Sequence, residues 1–191
     1  KGQPAVGQVT SDTDYFDSSA LVKRYLAETG SAWVQARCND PARTIATVEL
    51  SRVEIAAAFA GKLRGKFVTQ AEYQKAQTKL ATDAQKRYQL LPVTVQRVDE
   101  AIELTARHRL RGYDAVHLAC ALHLNQALVN SNLPPLTLVA ADNDLLKAAQ
   151  DEGLKTENPN LHPVDTSPRI TISLGSRWNA SLARSARARS T

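Results

Sequence analysis

The sequence predicts an α/β domain with a central, mostly parallel sheet and helices on both faces. Short apolar or β-branched segments alternate with longer amphipathic ones along the chain, a pattern typical of parallel sheets. The composition is 43% hydrophobic and 23% charged, which provides enough apolar side chains for a sizeable core. Acids follow several predicted strands, at positions where open α/β sheets bind ligands.

The first half of the chain contains two predicted strands and three predicted helices. The strands are 15–16 and 43–48, and the helices are 18–27, 31–38 and 51–64. Thr29 and Gly30 close the first helix, and Gly65 stops the third, as glycine commonly does at helix C-termini. Apolar residues in the third helix recur at the helical i, i+3, i+4, i+7 spacing from Val53 to Leu63.

The second half continues the alternation. The predicted helices are 69–90, 96–110, 114–128 and 142–152, and the predicted strands are 91–95, 136–140 and 154–156. The first of these helices is charged and poor in large apolar residues, so we expect it on the outside of the domain. The segment 136–140 is the clearest strand, and Gly153 ends the helix that follows it.

Residues 14–163 are expected to form one domain. The leader 1–13 lacks the periodicity of packed elements, and the tail 164–191 has little apolar surface to bury. We therefore expect both segments to be flexible. The net charge is +5, but residues 166–191 hold five arginines and no acid. The other 19 basic residues therefore balance the 19 acids, and a globally basic nucleic-acid-binding surface is not supported.

Two basic runs, 62–66 and 107–111, can either contact phosphates or form ordinary solvated surfaces. No signal peptide or apolar run of membrane-spanning length is visible. The two cysteines lack metal-type spacing and suit a reducing compartment. We therefore expect a cytoplasmic protein with no membrane partner.

Four acids stand at predicted junctions between strands and helices: Asp17, Glu54, Asp114 and Asp142. Each also has a structural interpretation. Asp17 can cap a helix, Glu54 completes a capping-box pattern with Ser51, and Asp114 and Asp142 suit the positive end of a helix dipole. Asp114 fits this interpretation least well, because it shares a helix face with apolar residues such as Leu118.

If the four acids converge, they need a counter-charge. Unit charges ~4 Å apart repel by about 4 kcal/mol at an effective dielectric constant of about 20. A divalent cation removes this repulsion, and oxygen ligands favour Mg²⁺ or Mn²⁺ over zinc. Such an ion suits phosphodiester hydrolysis because it activates a bound water and stabilises charge on the phosphate.

Four segments carry these acids in order: 17–21 (DSSAL), 51–56 (SRVEIA), 110–119 (LRGYDAVHLA) and 140–146 (AADNDLL). In order and spacing they resemble the motifs of PIN-domain ribonucleases, and most closely those of VapC-type toxins of toxin–antitoxin systems. The resemblance covers roughly residues 14–160 and leaves out the leader and the arginine-rich tail.

The resemblance implies a Rossmann-like, three-layer PIN fold, a homodimer, hydrolysis of RNA by water activated by Mg²⁺ or Mn²⁺, and inhibition by a VapB-type antitoxin. It places one or two metal ions on the catalytic acids Asp17, Glu54, Asp114 and Asp142. Ser19 matches a supporting hydroxyl. Asp144 is a further acid nearby. At i+2 from Asp142 it is expected to face away from that residue, so we interpret it as a supporting or solvated residue. Transfer, ribosomal and messenger RNA all remain candidate substrates.

Other interpretations compete with this one. A non-catalytic PIN-fold interaction module should have lost at least one of the four acids. A receiver-like or phosphatase-like domain needs a second acid beside Asp17, where this chain has two serines. Glu49, near a strand end, is a rival to Glu54. Lys23 can hold phosphate but is expected to be solvated, and His117 is expected to be a packed, hydrogen-bonded residue rather than a base.

Overall fold

The computed structural model describes residues 12–162, which form five strands between two layers of helices. The strands are β1 (Asp12–Phe16), β2 (Arg43–Val48), β3 (Tyr88–Leu91), β4 (Thr137–Val139) and β5 (Lys155–Glu157). The helices are α1 (Ser18–Leu21), α2 (Ser31–Asn39), α3 (Ser51–Arg64), α4 (Gln70–Lys86), α5 (Val95–Arg107), α6 (Gly112–Asn130) and α7 (Asn143–Asp151). Short 3₁₀ helices span Val22–Arg24 and Pro159–Leu161. The predicted α/β class and three-layer fold are confirmed.

The five strands are all parallel and follow the order β3-β2-β1-β4-β5. The central strand is β1, where Tyr15 lies opposite Ala46 of β2 and Leu138 of β4. Parallel neighbours require a crossover connection, here supplied by helices. All five strands therefore end at the same side of the sheet, which we call the carboxyl edge.

The core has two parts, one on each face of the sheet. Successive strand residues point to opposite faces, so Tyr15 packs with α5, α6 and α7 while Phe16 packs with α1 to α4. The same alternation separates Leu138 from Val139 in β4. Cys120 is buried in the first part and Cys38 in the second, and both are free thiols.

The predicted helix over 69–90 is wrong at its C-terminal end. Helix α4 stops at Lys86, and Tyr88 begins β3 after a single intervening residue. The cause is pairing with a distant strand, because Tyr88 lies opposite Ile45 and Leu91 opposite Val48. The strand predicted over 91–95 is displaced for the same reason, and Val95 instead begins α5.

The predicted helix over 18–27 is also shorter than expected. Helix α1 gives way after Leu21 to the 3₁₀ turn Val22–Arg24, which buries its two basic side chains. Arg24 donates from Nε to Asp83 Oδ2 on α4 at 2.8 Å, and both side chains are almost fully buried. Lys79 also contacts this carboxylate, at 3.0 Å. The turn thus follows from a tertiary ion pair rather than from local preference.

A second buried acid stabilises the opposite, amino side of the sheet. Asp14 of β1 is fully buried and accepts hydrogen bonds from Arg37 of α2 at 2.6 Å and from Arg43 of β2 at 3.2 Å. The predicted leader 1–13 and tail 164–191 lie outside the described residues, except that Asp12 and Thr13 begin β1. No helix among residues 12–162 is both long and apolar enough to cross a bilayer.

We predict that Asp83→Asn lowers the free energy of unfolding by about 3 kcal/mol at pH 7, because it leaves a buried guanidinium without its counter-charge. Urea denaturation measures the change. Asp151→Asn is the matched control, since the Lys147–Asp151 pair is exposed and should contribute less than about 1 kcal/mol.

This stabilisation should depend on pH. Burial acts to raise the pKa of Asp83, but hydrogen bonds from Arg24 and Lys79 outweigh it and hold the pKa below its ordinary 3.8. The stabilisation is therefore complete above about pH 4 and is lost as the pH falls through the lower, folded-state pKa. Equal stability of Asp83→Asn and the parent at pH 7 would contradict the account.

Candidate metal-binding and catalytic site

Asp17 is the first residue after the central strand and lies at the carboxyl edge. Its backbone N–H donates to the carbonyl of Val139 in β4 at 2.9 Å, and its carboxylate Oδ2 accepts from the Ser19 N–H at 2.9 Å. The residue is only 3% exposed. Asp17 therefore caps α1, as the structural interpretation expected, while its second carboxylate oxygen remains available to the site.

Asp142 occupies the corresponding position after β4. Its Oδ1 accepts from the Leu145 N–H at 3.0 Å and caps α7. Ser19 joins this loop to the first one, because the Ala141 N–H donates to the Ser19 hydroxyl at 2.9 Å. The supporting position predicted for Ser19 thus coincides with a hydrogen bond that joins the two acid-bearing loops.

Glu54 does not form the capping box that its spacing suggested. The N-cap of α3 is Leu50, without a side-chain cap. The Ser51 hydroxyl instead lies 2.6 Å from the Thr47 hydroxyl, which donates to the Phe16 carbonyl at 2.7 Å. The Glu54 carboxylate is consequently free to face the site. Its rival Glu49 is exposed, with no side-chain partner among residues 12–162.

Asp114 lies in the first turn of α6 and is partly buried. Burial, and then the negative charges of Asp17 and Asp142, raise the pKa of this carboxyl above its usual value. Asp114 is thus within electrostatic range of both acids, at the end of the sheet where Asp17 and Asp142 follow β1 and β4.

His117 connects Glu54 to this group. Its imidazole is fully buried, and Nε2 lies 2.9 Å from Glu54 Oε2 and 3.4 Å from Asp17 Oδ1. Nδ1 lies 3.3 Å from the Tyr15 hydroxyl. Burial acts to lower the pKa of His117, but the charge of Asp17 and the hydrogen bond and charge of Glu54 outweigh it, so the pKa is raised.

The sequence prediction for His117 was correct about packing but missed its partners. The available signal was its position one helical turn after Asp114, on the same face of α6. Two other candidates make no recorded contact with the four acids among residues 12–162. Asp144 is exposed and has no side-chain partner among residues 12–162. Lys23 was expected to be solvated, which is wrong, because it is buried and pairs with Glu28 at 3.3 Å.

The comparison with protein families agrees with this geometry. The sequence profile described as "PIN domain" matches residues 15–151, which span all four acids. The chain belongs to the PIN-domain family. It is 33% identical over 150 residues to ribonuclease VapC45 of Mycobacterium tuberculosis, a match covering 78% of this chain and 97% of that protein. This similarity places it among the VapC-type PIN domains.

Solved structures show the same fold at low sequence identity. PAE2754 from Pyrobaculum aerophilum aligns with a TM-score of 0.53 at 18% identity, covering 76% of this chain and 84% of that one. VapBC2 from Rickettsia felis, solved bound to a DNA fragment from its promoter, aligns with a TM-score of 0.51 at 14% identity, covering 76% and 98%. At these identities the likeness concerns the fold alone.

The donor set of this PIN domain suits a hydrated, hard cation. Its four acids offer only oxygen ligands, and Mg²⁺ typically binds through one or two carboxylates while it keeps several waters. Among residues 12–162, no group of three or more Asp, Glu, His or Cys side chains is placed closely enough to hold a metal ion as the structure stands. Carboxylate oxygens alone also fit structural zinc poorly, because such sites are built mainly from cysteine and histidine ligands.

We predict that Asp114→Asn raises the thermal stability of the protein in a chelating buffer at pH 7. The substitution removes a carboxylate whose ionisation is opposed first by burial and then by the charges of Asp17 and Asp142. Because its pKa is higher folded than unfolded, this carboxylate lowers stability once the pH exceeds the ordinary value of 3.8. Calorimetric melting measures the effect, and a lower melting temperature for the variant would contradict it.

Proposed function

We propose that this PIN domain is the toxin of a toxin–antitoxin pair and acts as an endoribonuclease that depends on Mg²⁺ or Mn²⁺. The observation that carries the proposal is the acid cluster at the carboxyl edge, where Asp17 is buried and Asp114 interacts with two other acids. The name of the Mycobacterium tuberculosis relative, a ribonuclease of VapC type, supports RNA as the substrate. The proposal places the protein in the cytoplasm with that RNA.

Asp17, Glu54, Asp114 and Asp142 are the residues that would hold the ion. When bound, the ion supplies the Lewis acidity that activates water and stabilises charge on the phosphodiester. The protein contributes carboxylates with restricted motion. The Ser19 N–H fixes Asp17, and the Leu145 N–H fixes Asp142. Side chains held in this way lose little conformational entropy on binding, which favours both affinity and orientation.

Arginines beside the acids supply a path for the RNA backbone. Arg52 lies in the first turn of α3, and Arg109 and Arg111 directly precede α6. All three are exposed and have no side-chain partner among the described residues. In contrast, Lys62 pairs with Glu28 at 2.7 Å and Arg107 with Glu152 at 3.0 Å. The unpaired arginines are therefore available to neutralise phosphates near the site.

We predict that Asp17→Asn and Glu54→Gln each reduce RNA cleavage by about 100-fold or more, because electrostatic stabilisation at a reacting group has an effect of this size. Initial rates with a fluorescent RNA measure the loss. Glu49→Gln is the matched control, since Glu49 is an exposed strand-end acid outside the cluster. Unchanged cleavage by Asp17→Asn, or equal losses in the two glutamate variants, would contradict the proposed mechanism.

The proposed protein partner is a VapB-type antitoxin. Two findings support it: the likeness to VapC45, and the fold shared with the VapBC2 assembly. The chemistry of the site also suits inhibition by a protein, because a basic side chain placed among the carboxylates would replace the cation that they need. An antitoxin that covers the carboxyl edge would block both the ion and the RNA.

An exposed apolar face on α5 and α6 supports the proposed homodimer. Val98, Ile102 and Tyr113 are 40%, 62% and 62% exposed, and they line one groove with Val116. Contiguous apolar surface of this kind marks an interaction site in a soluble domain. Because Tyr113 directly precedes Asp114, a second copy packed on this face would lie close to the acid cluster.

We predict that Ile102→Asp converts the dimer into a monomer, since a charge in a packed apolar interface is not compensated. Sedimentation velocity measures the mass. Val129→Asp is the control, because Val129 is an exposed apolar residue too but lies near the C-terminal end of α6, more than three turns from Tyr113 and Val116 in the groove. A dimer that persists in Ile102→Asp, or that dissociates in Val129→Asp, would place the interface elsewhere.

A further inference from the structure

His117 is a fully buried histidine whose Nε2 faces two carboxylates from different parts of the fold. Glu54 Oε2 lies at 2.9 Å on α3, and Asp17 Oδ1 lies at 3.4 Å after β1. Neither Asp17 nor Glu54 pairs with a lysine or arginine among residues 12–162. The imidazole is therefore the only side chain of the described residues that bridges these two acids.

The hydrogen bonds determine which ring nitrogen carries a proton. An ionised carboxylate only accepts hydrogen bonds, so Nε2 must donate. In the neutral ring Nδ1 then accepts from the Tyr15 hydroxyl, and in the charged ring it donates to the same oxygen at 3.3 Å. Nε2 carries its proton in both cases. The bridge between the carboxylates therefore does not depend on the charge of the ring.

Tyr15 fixes the orientation of the ring. It is fully buried in the central strand, and its ring meets the imidazole edge-on at 6.0 Å with an interplanar angle of 81°. Because β1 is hydrogen-bonded to a strand on each side, the Tyr15 hydroxyl has a well-defined position. A ring oriented in this way directs Nε2 at the acids, as the outer partners of metal-binding residues commonly do.

We propose that His117 is a positioning residue for the metal site: its Nε2–H donates to Glu54 Oε2 while the imidazole contacts Asp17 Oδ1, so that the ring holds the two carboxylates at a fixed separation beside the cation. The inference rests on the proposed metal-dependent function and adds to it a residue outside the four acids. Without the N–H, two like charges on separate elements would move apart, and binding an ion would have to bring them together again.

The test is the dissociation constant for Mn²⁺, measured by calorimetry on the purified full chain. His117→Leu removes the N–H at similar volume and should raise the dissociation constant about tenfold. This is the lower end of the loss of metal affinity that follows removal of a hydrogen-bond partner of a metal ligand. His117→Gln retains an N–H near the Nε2 position and should return the constant to within about threefold of the parent. His123→Leu, an exposed position on the same helix, should leave it unchanged. Circular dichroism confirms that each variant is folded.

A second measurement needs no metal. The ¹⁵N imidazole spectrum of the metal-free parent should show a protonated Nε2 for His117, and an unprotonated Nε2 would overturn the inference. Equal Mn²⁺ affinity of folded His117→Leu and the parent would also overturn it, as would a glutamine variant no better than the leucine one. A parent with protonated Nε2 that binds no Mn²⁺ would instead overturn the proposed metal dependence, and this inference with it.

Discussion

Carboxylates from separate segments of the chain meet at one edge of the sheet because all five strands run in the same direction. Asp17 and Asp142 follow two neighbouring strands directly, and α3 and α6 bring Glu54 and Asp114 toward them. Repulsion among these charges opposes their convergence. The packing of the two core layers has to overcome it, and burial together with the charges of Asp17 and Asp142 raises the pKa of Asp114.

Asp14 and Asp17, in and directly after the central strand, differ in how their negative charge is compensated. Asp14, near the start of β1, is compensated by two arginines within hydrogen-bond distance. Among residues 12–162, Asp17, three residues later, contacts only the Ser19 N–H that it caps and the His117 imidazole at 3.4 Å. Arg37 and Arg43 give Asp14 a permanent counter-charge that stabilises the fold, whereas the proposed function assigns an exchangeable cation to Asp17.

The sequence predicted the elements whose patterns are local and missed features that depend on distant contacts. Strand β2 and helix α3 occur at the predicted bounds, because β-branched residues and helical periodicity are visible along the chain. The strand character of Tyr88 comes from its pairing with Ile45, which local sequence does not contain. The early end of α1 likewise depends on the contact of Arg24 with Asp83, 59 residues away.

In the candidate site, too, the sequence predicted what depends on local pattern and missed what depends on distant contacts. Four candidate acids could be selected from their positions at strand ends and helix starts, and their order resembles that of a known family. The bridge formed by His117 could not be identified, because Glu54 lies 63 residues from it in sequence. The capping box expected at Ser51 is absent because Thr47 binds that hydroxyl, so a correct local rule was overridden by a tertiary contact.

Cleavage of total bacterial RNA by the purified protein, with and without a chelator, decides whether the acid cluster acts through a divalent cation. We expect EDTA to stop cleavage and excess Mg²⁺ or Mn²⁺ to restore it, because the clustered carboxylates are proposed to need such an ion to act on a phosphodiester. Cleavage that continues undiminished in EDTA would contradict the account, since the acids would then act without the ion that their arrangement is proposed to hold.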